Sequence, residues 1–163
     1  MCTPQHGSRK MYRIQTGLEA RKRAMVRDGQ TISITTPAGV AKECSDIAHS
    51  SQEAFIVLTL NAKNKLIDKH IVSIGLVDAS LVHPRELFRK AIMDSANAII
   101  ILHNHPSGEV TPSAEDIRIT KQIVEAGKIV DIKLMDSIIV GVDDTNGEVR
   151  HISLRESGLV SFL

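Results

Sequence analysis

The spacing of apolar and polar residues divides this chain into recognisable elements. "EAFIVLTL" (53–60) is rich in β-forming side chains, "NAKN" supplies a turn, and "KLIDKHIVSIG" resumes the strand pattern, which predicts a hairpin. "LVDASLV" (76–82) predicts a continuation of the extended chain. In "HPRELFRKAIMDSAN" a proline stands near the start, and Leu87, Phe88, Ala91, Ile92 and Ala96 share one helical face. "AIIILH" (98–103) is an unbroken apolar run, the mark of a strand covered on both sides. A loop "NHPSGEVTP" leads into "SAEDIRITKQIVEAG", a predicted helix with Ile117, Thr120 and Val124 inward and Gly127 as its stop. Upstream, "TGLEARKRAMVRDG" predicts a basic helix over 16–28, and Thr36-Pro37 opens a second helix over 37–48. Three short strands close the chain, "IVDIKLM", "SIIVGVD" and "EVRHISL", the last two joined by the turn "DTNG". Interleaved strands and helices predict an α/β (α+β) fold with a mixed β-sheet flanked by helices.

Composition narrows the class without naming a function. The 163 residues suit one domain, and 42% hydrophobic with 24% charged residues is ordinary for a globular protein. The longest apolar runs are too short to cross a bilayer, and "MCTPQHGSRKMYRIQ" lacks the apolar core of a secretion signal, so a cytoplasmic location is expected. Cys2 and Cys44 offer no disulfide framework and no metal-ligand spacing. Net charge is +1, which carries no general polyanion signature. The charge is unevenly placed: residues 1–30 hold seven Lys/Arg and two Asp/Glu, 7 − 2 = +5, and the remainder is 13 − 17 = −4. We read residues 1–30 as a basic N-terminal helical extension with a solvated charged face, ahead of a domain over 31–163. Nucleic-acid contact is the weaker alternative, since 2% aromatic content leaves few platforms on which bases stack.

Chemistry concentrates in "HNHPSGEVTPSAED" (103–116). Side chains at i and i+2 of a strand point the same way, so His103 and His105 converge while Asn104 faces the opposite side. Asp116, in the first turn of the following helix, supplies a carboxylate if the loop folds back to the strand end. Two imidazole nitrogens and one carboxylate oxygen suit Zn²⁺ better than Mg²⁺ or Ca²⁺, and three protein ligands leave a position for water. A water bound to zinc ionises near neutrality, which suits hydrolysis. Each fragment also has a purely structural use: HxH can flank a turn, and Ser113-x-x-Asp116 is close to a helix capping box. Read as one unit, HxHP-x6-S-x2-D favours a metal, with Ser113 both capping the helix and aiming its hydroxyl into the site.

That unit resembles the motif of JAMM (MPN-type) metalloproteases, which hydrolyse peptide or isopeptide bonds. The longer run "ANAIIILHNHPSGEVTPSAEDIRITKQI", with "HPRELFRKAI" before it and "SLRESG" after, is similar to the RadC branch of that superfamily over roughly residues 36 to 160. The resemblance implies a JAB/MPN-like, deaminase-like domain holding one Zn²⁺ per chain on His103, His105 and Asp116. It implies an oxyanion-stabilising role for Ser113 and a glutamate general base opening an upstream strand, for which the matching position is Glu53. Glu43, Glu86 and Glu109 are the other candidates; Glu53 is favoured because its strand can lie beside "AIIILH". The expected activity is zinc-dependent hydrolysis of an amide bond in a peptide or protein substrate. The alternative is a DNA-repair-associated accessory protein with a structural or vestigial zinc.

Two departures from the family pattern bear on these expectations. RadC-like chains commonly carry a helix-hairpin-helix-type region ahead of this domain, which some thirty residues are too few to supply, and this argues against a DNA role resting on it. The family also tends to read Asp-His before the penultimate strand, where this chain has "MDSIIVG", with Ser137 in the histidine's place. His83 is expected in a loop, and His49, His70 and His151 show no partner at useful spacing.

Overall fold

The structure, a computed structural model, describes residues 36–75 and 82–162. The basic helix predicted over 16–28 and nearly all of the extended stretch 76–82 lie outside the described residues. Thr36 caps helix α1 (Pro37–Glu43), its hydroxyl accepting the Gly39 N–H at 3.1 Å, with proline at the first position as predicted. The helix expected over 37–48 is interrupted at Cys44, and a single turn, α2 (Ser45–Ala48), follows. The hairpin forms as expected from β1 (Ala54–Leu60) and β2 (Leu66–Ile74). Its turn is built by Asn61, whose side-chain oxygen accepts from the N–H groups of Lys63 and Lys65, and by Asn64 in the left-handed region at φ 54°.

Helix α3 (Pro84–Met93) buries Leu87, Phe88 and Ala91, but Ile92 is 58% exposed rather than inward. Strand β3 (Ala98–Asn104) follows and is buried at every position, as its apolar run predicted. Helix α4 spans Ala114–Val130 and so runs past Gly127. It ends at Asp131, which adopts the left-handed conformation (φ 56°) and donates its N–H to the Gly127 carbonyl. Gly127 has a different use: a Cβ there would lie 2.6 Å from the Ile132 carbonyl, so glycine lets the returning chain cross the helix closely. Residues 129–135 and 137–143 were expected as two strands. The first part is helical and the rest is one strand, β4 (Lys133–Val142), followed by β5 (Val149–Ser153).

The sheet order is β2-β1-β3-β4-β5. Only β3 and β4 pair in parallel, because α4 crosses between them; the other neighbours are antiparallel. The fold is therefore α+β with a mixed sheet. Phe55, Val57, Ile99, Ile101 and Ile139 pack with Leu87, Ile119 and Ile123 of α3 and α4. The opposite face carries Ile56, Leu58, Leu102 and Ile138, all at or near zero exposure, and α1 and α2 pack on that side. With helices on both faces, β1 and β3 have no wet side, which explains why they read as continuous apolar runs. Among the described residues no helix is long and apolar enough to cross a membrane.

Candidate metal centre

Three pieces of backbone meet where β3 ends. His103 lies one residue before the end of β3 and His105 one residue beyond it. The His105 N–H donates to the Val140 carbonyl at 2.9 Å, extending the ladder with β4, so both imidazoles stay on the α4 side. The chain then turns sharply, with Gly108 N–H bonded to the His105 carbonyl. Gly108 has φ 79°, and a side chain there would collide with the Val142 carbonyl, so the loop lies directly on the end of β4. The segment next enters α4 through a capping box. Ser113 Oγ accepts the Asp116 N–H at 3.1 Å, and Asp116 Oδ2 accepts from the Ser113 N–H at 2.8 Å and its hydroxyl at 2.6 Å. Oδ2 is thereby anchored to the helix start, and Oδ1 faces His103.

The distances among the donor atoms test whether this set fits a metal. His103 Nε2 lies 3.0 Å from Asp116 Oδ1 and 3.2 Å from His105 Nε2, and His105 Nε2 lies 3.5 Å from Asp116 Oδ2. A tetrahedral ion with bonds of roughly 2.0–2.1 Å sets its ligand atoms about 3.3 Å apart. The two separations from His103 Nε2 lie near that value, and the third runs to the other oxygen of Asp116. His105 Nδ1 donates to the Glu109 carbonyl at 2.7 Å, which leaves the lone pair on Nε2, the atom that faces the cluster. The His103 ring stacks on Phe55, centroids 5.6 Å apart and planes within 9°, and its Nδ1 is buried without a hydrogen-bond partner. All polar contact of that ring is thus made through Nε2. Burial pushes the Asp116 carboxyl up, but hydrogen bonds from His103, His105 and Ser113 outweigh it and hold the group well below the usual carboxylate range. The hydrogen bond to Asp116 raises His105, against the opposing effect of burial. A carboxylate that stays ionised beside two convergent imidazoles is a donor set for a divalent cation, and zinc fits its chemistry.

Glu53 precedes β1 by one residue. The antiparallel ladder ends with Phe55 paired to His103, and Glu53 lies two residues before that pair. Its charge is close enough to help raise His105. The other glutamates considered are elsewhere engaged: Glu43 pairs with Lys69 at 2.9 Å, Glu86 faces Arg85 and Arg89 in solvent, and Glu109 accepts from Thr111.

Residues 34–159 match the family model described as RadC-like JAB domain. The chain belongs to that family. A UPF0758 protein of Caldanaerobacter subterraneus is 42% identical over 158 residues, covering 96% of this chain and 65% of that protein. UPF0758 proteins of Symbiobacterium thermophilum (42% over 156 residues, 95% and 64%) and Methanosarcina barkeri (38% over 148 residues, 91% and 58%) are similar to it as well. The chain spans about two thirds or less of the length of these relatives.

Within this RadC-like domain Ser137 stands in register with Ile101, two residues below His103, and is buried. Its hydroxyl accepts from Thr120 at 3.0 Å, and the preceding Asp136 accepts from the Ser137 N–H and the Ser153 hydroxyl, both at 2.7 Å. His83 is the N-cap residue of α3. His70, for which spacing pointed to no partner, meets two carboxylates: Nε2 is 2.6 Å from Asp94 Oδ2 and 3.6 Å from Asp68 Oδ2. Asp94 lies 24 residues away at the end of α3, a separation at which spacing carries no signal. Phe55, Asn104 and the Glu109 carbonyl also escaped the sequence reading, since each acts through contacts across strands or a loop.

Proposed function

We propose that this RadC-like domain is a zinc-dependent hydrolase of amide bonds, peptide or isopeptide, with one Zn²⁺ per chain on His103 Nε2, His105 Nε2 and an Asp116 oxygen. What supports this reading is the convergence of two imidazole nitrogens and a carboxylate within 4.8 Å of one another, with Glu53 close enough to act electrostatically on His105. When bound, zinc supplies Lewis acidity and makes a coordinated water acidic near neutral pH.

The protein's own groups do the rest. Asp116 stays ionised, and its Oδ2 is fixed by Ser113, so its orientation does not depend on the ion. The Glu109 carbonyl sets the His105 tautomer. Glu53 takes the proton of the attacking water and returns it to the departing amine. Ser113 holds Asp116 and, by rotation of its hydroxyl, donates to the oxyanion that develops on the scissile carbonyl, a contribution of about 3–4 kcal/mol for a single such donor.

The test is elemental analysis of purified protein followed by a peptide-library cleavage screen of wild type against Glu53→Gln. Zinc at one per chain with cleavage abolished only in the variant is the expected result. Full activity in Glu53→Gln discards the base, and a wild type that takes up no zinc discards the whole reading.

A further inference from the structure

Asn104 stands between the two histidines and points the other way, where the metal reading gives it nothing to do. It is fully buried, and its amide is fully used. Oδ1 accepts the Ala54 N–H at 2.7 Å, and Nδ2 donates to the carbonyls of Ser50 and Gln52, both at 3.2 Å. These partners are some fifty residues away along the chain, and Glu53 lies between two of them.

The location of these bonds matters. The ladder between β1 and β3 begins at Phe55 and His103, so the segment before it lacks the backbone pairing that would fix its path. The Asn104 amide replaces that pairing. On the other side the Glu53 carbonyl accepts the Gly75 N–H at 2.8 Å, from the end of β2. The backbone around Glu53 is therefore held from two directions, one of them by the residue that separates the ligands. A side-chain amide suits this task because it matches one backbone donor and two backbone acceptors at once. Asp would lose both N–H groups and face two carbonyls with negative charge.

We propose that Asn104 is a positioning residue that locks the segment carrying Glu53 close to His105, so that three consecutive residues of β3 and its loop set two metal ligands and the place of the base. The inference rests on the hydrolase reading, with Glu53 as its base. Its direct test uses Co²⁺ in place of zinc in the full chain. Wild type, Glu53→Gln, Asn104→Asp, Asn104→Ala and the double variant Glu53→Gln/Asn104→Asp are compared by Co²⁺ stoichiometry, by the visible absorption of the cobalt, and by turnover of a peptide selected with wild type.

All five proteins are expected to bind one Co²⁺, since no ligand is touched. The cobalt bands of both Asn104 variants are expected to move toward those of Glu53→Gln. Their kcat is expected to fall on the order of 10²-fold with KM little changed, as for displacement of a catalytic group by about 1 Å. The double variant is expected to be no slower than Glu53→Gln alone, because the two residues act as one unit. Wild-type bands and kcat in both Asn104 variants overturn the inference. So does loss of Co²⁺ from them, or a double variant slower by the product of the single effects, because either assigns Asn104 to the general fold. Failure of the underlying base assignment shows separately, as wild-type turnover in Glu53→Gln.

Discussion

Two clusters of nearly the same composition sit on one face of this sheet, at opposite ends. His103, His105 and Asp116 gather where β1 begins; Asp68, His70 and Asp94 gather where it ends. Both bring their candidate ligand atoms within 4.8 Å of one another. In the first, His103 Nε2 lies 3.0 Å from Asp116 Oδ1 and 3.2 Å from His105 Nε2, close to the edge length of a tetrahedron around an ion. In the second, the His70–Asp94 distance of 2.6 Å is a hydrogen bond, and Thr59 donates to the same Asp94 oxygen at 2.6 Å. In the second cluster one imidazole and one hydroxyl share a single carboxylate oxygen, whereas in the first two imidazole nitrogens and a carboxylate converge, the arrangement we propose holds a cation. The residue types are shared by the two clusters; what differs is how many imidazoles meet the carboxylate.

The largest test of this contrast is metal content. His105→Ala is expected to fall from about one zinc per chain to almost none, while His70→Ala keeps its zinc. Elemental analysis showing the two equally depleted would merge the clusters into one class. Next in size is chemistry: Glu53→Gln should retain metal and lose at least about 10²-fold in turnover, the usual scale for a removed general base.

Stability should respond in the opposite way. Asp94→Ala strips His70 and Thr59 of their partner and is expected to cost about 1–3 kcal/mol in denaturant unfolding, with zinc content unchanged. Loss of zinc in that variant would mean that the two ends of the sheet are coupled.

The first cluster should make stability pH-dependent in the zinc-free protein. Asp116 is depressed from 3.8, so its contribution is present above that value and lost as pH falls through the folded pKa. His105 is raised from 6.5, so its contribution is present below that value and lost as pH rises through the folded pKa. Zinc-free protein should therefore be most stable between about pH 4 and 6.5, and saturating zinc should shift the maximum upward, because protons and metal compete for His105. Melting temperatures across pH with and without zinc check this; coincident curves would refute it. The smallest effect is expected at Ser137→Ala, about 1 kcal/mol from the lost Thr120 hydrogen bond, with zinc binding unaffected.

The regions that were legible in sequence are those whose signal is local. The β1–β2 hairpin, the doubly covered β3 and the start of α4 each carry their pattern within one short continuous stretch, as does the Ser113–Asp116 capping box. The errors fell where a neighbour decided. Gly127 has the composition of a helix stop, but the close passage of Ile132 is what requires glycine there. Ile92 keeps the helical period of its inward neighbours and still faces solvent, because the face that α3 buries is narrower than its apolar stripe.

By itself, the sequence determined the donor set. Period two along a strand turns His103 and His105 to one side, and helix capping places Asp116 at the start of the next element, all within fourteen residues. Only the tertiary structure decided what surrounds that set: Glu53 just before the first β1–β3 pair, Asn104 bonded to the residues on either side of it, and His70 closed against Asp94. Those contacts join groups 24 to 54 residues apart. At such distances no backbone period links one residue to the other, and sheet order and helix packing choose the neighbours.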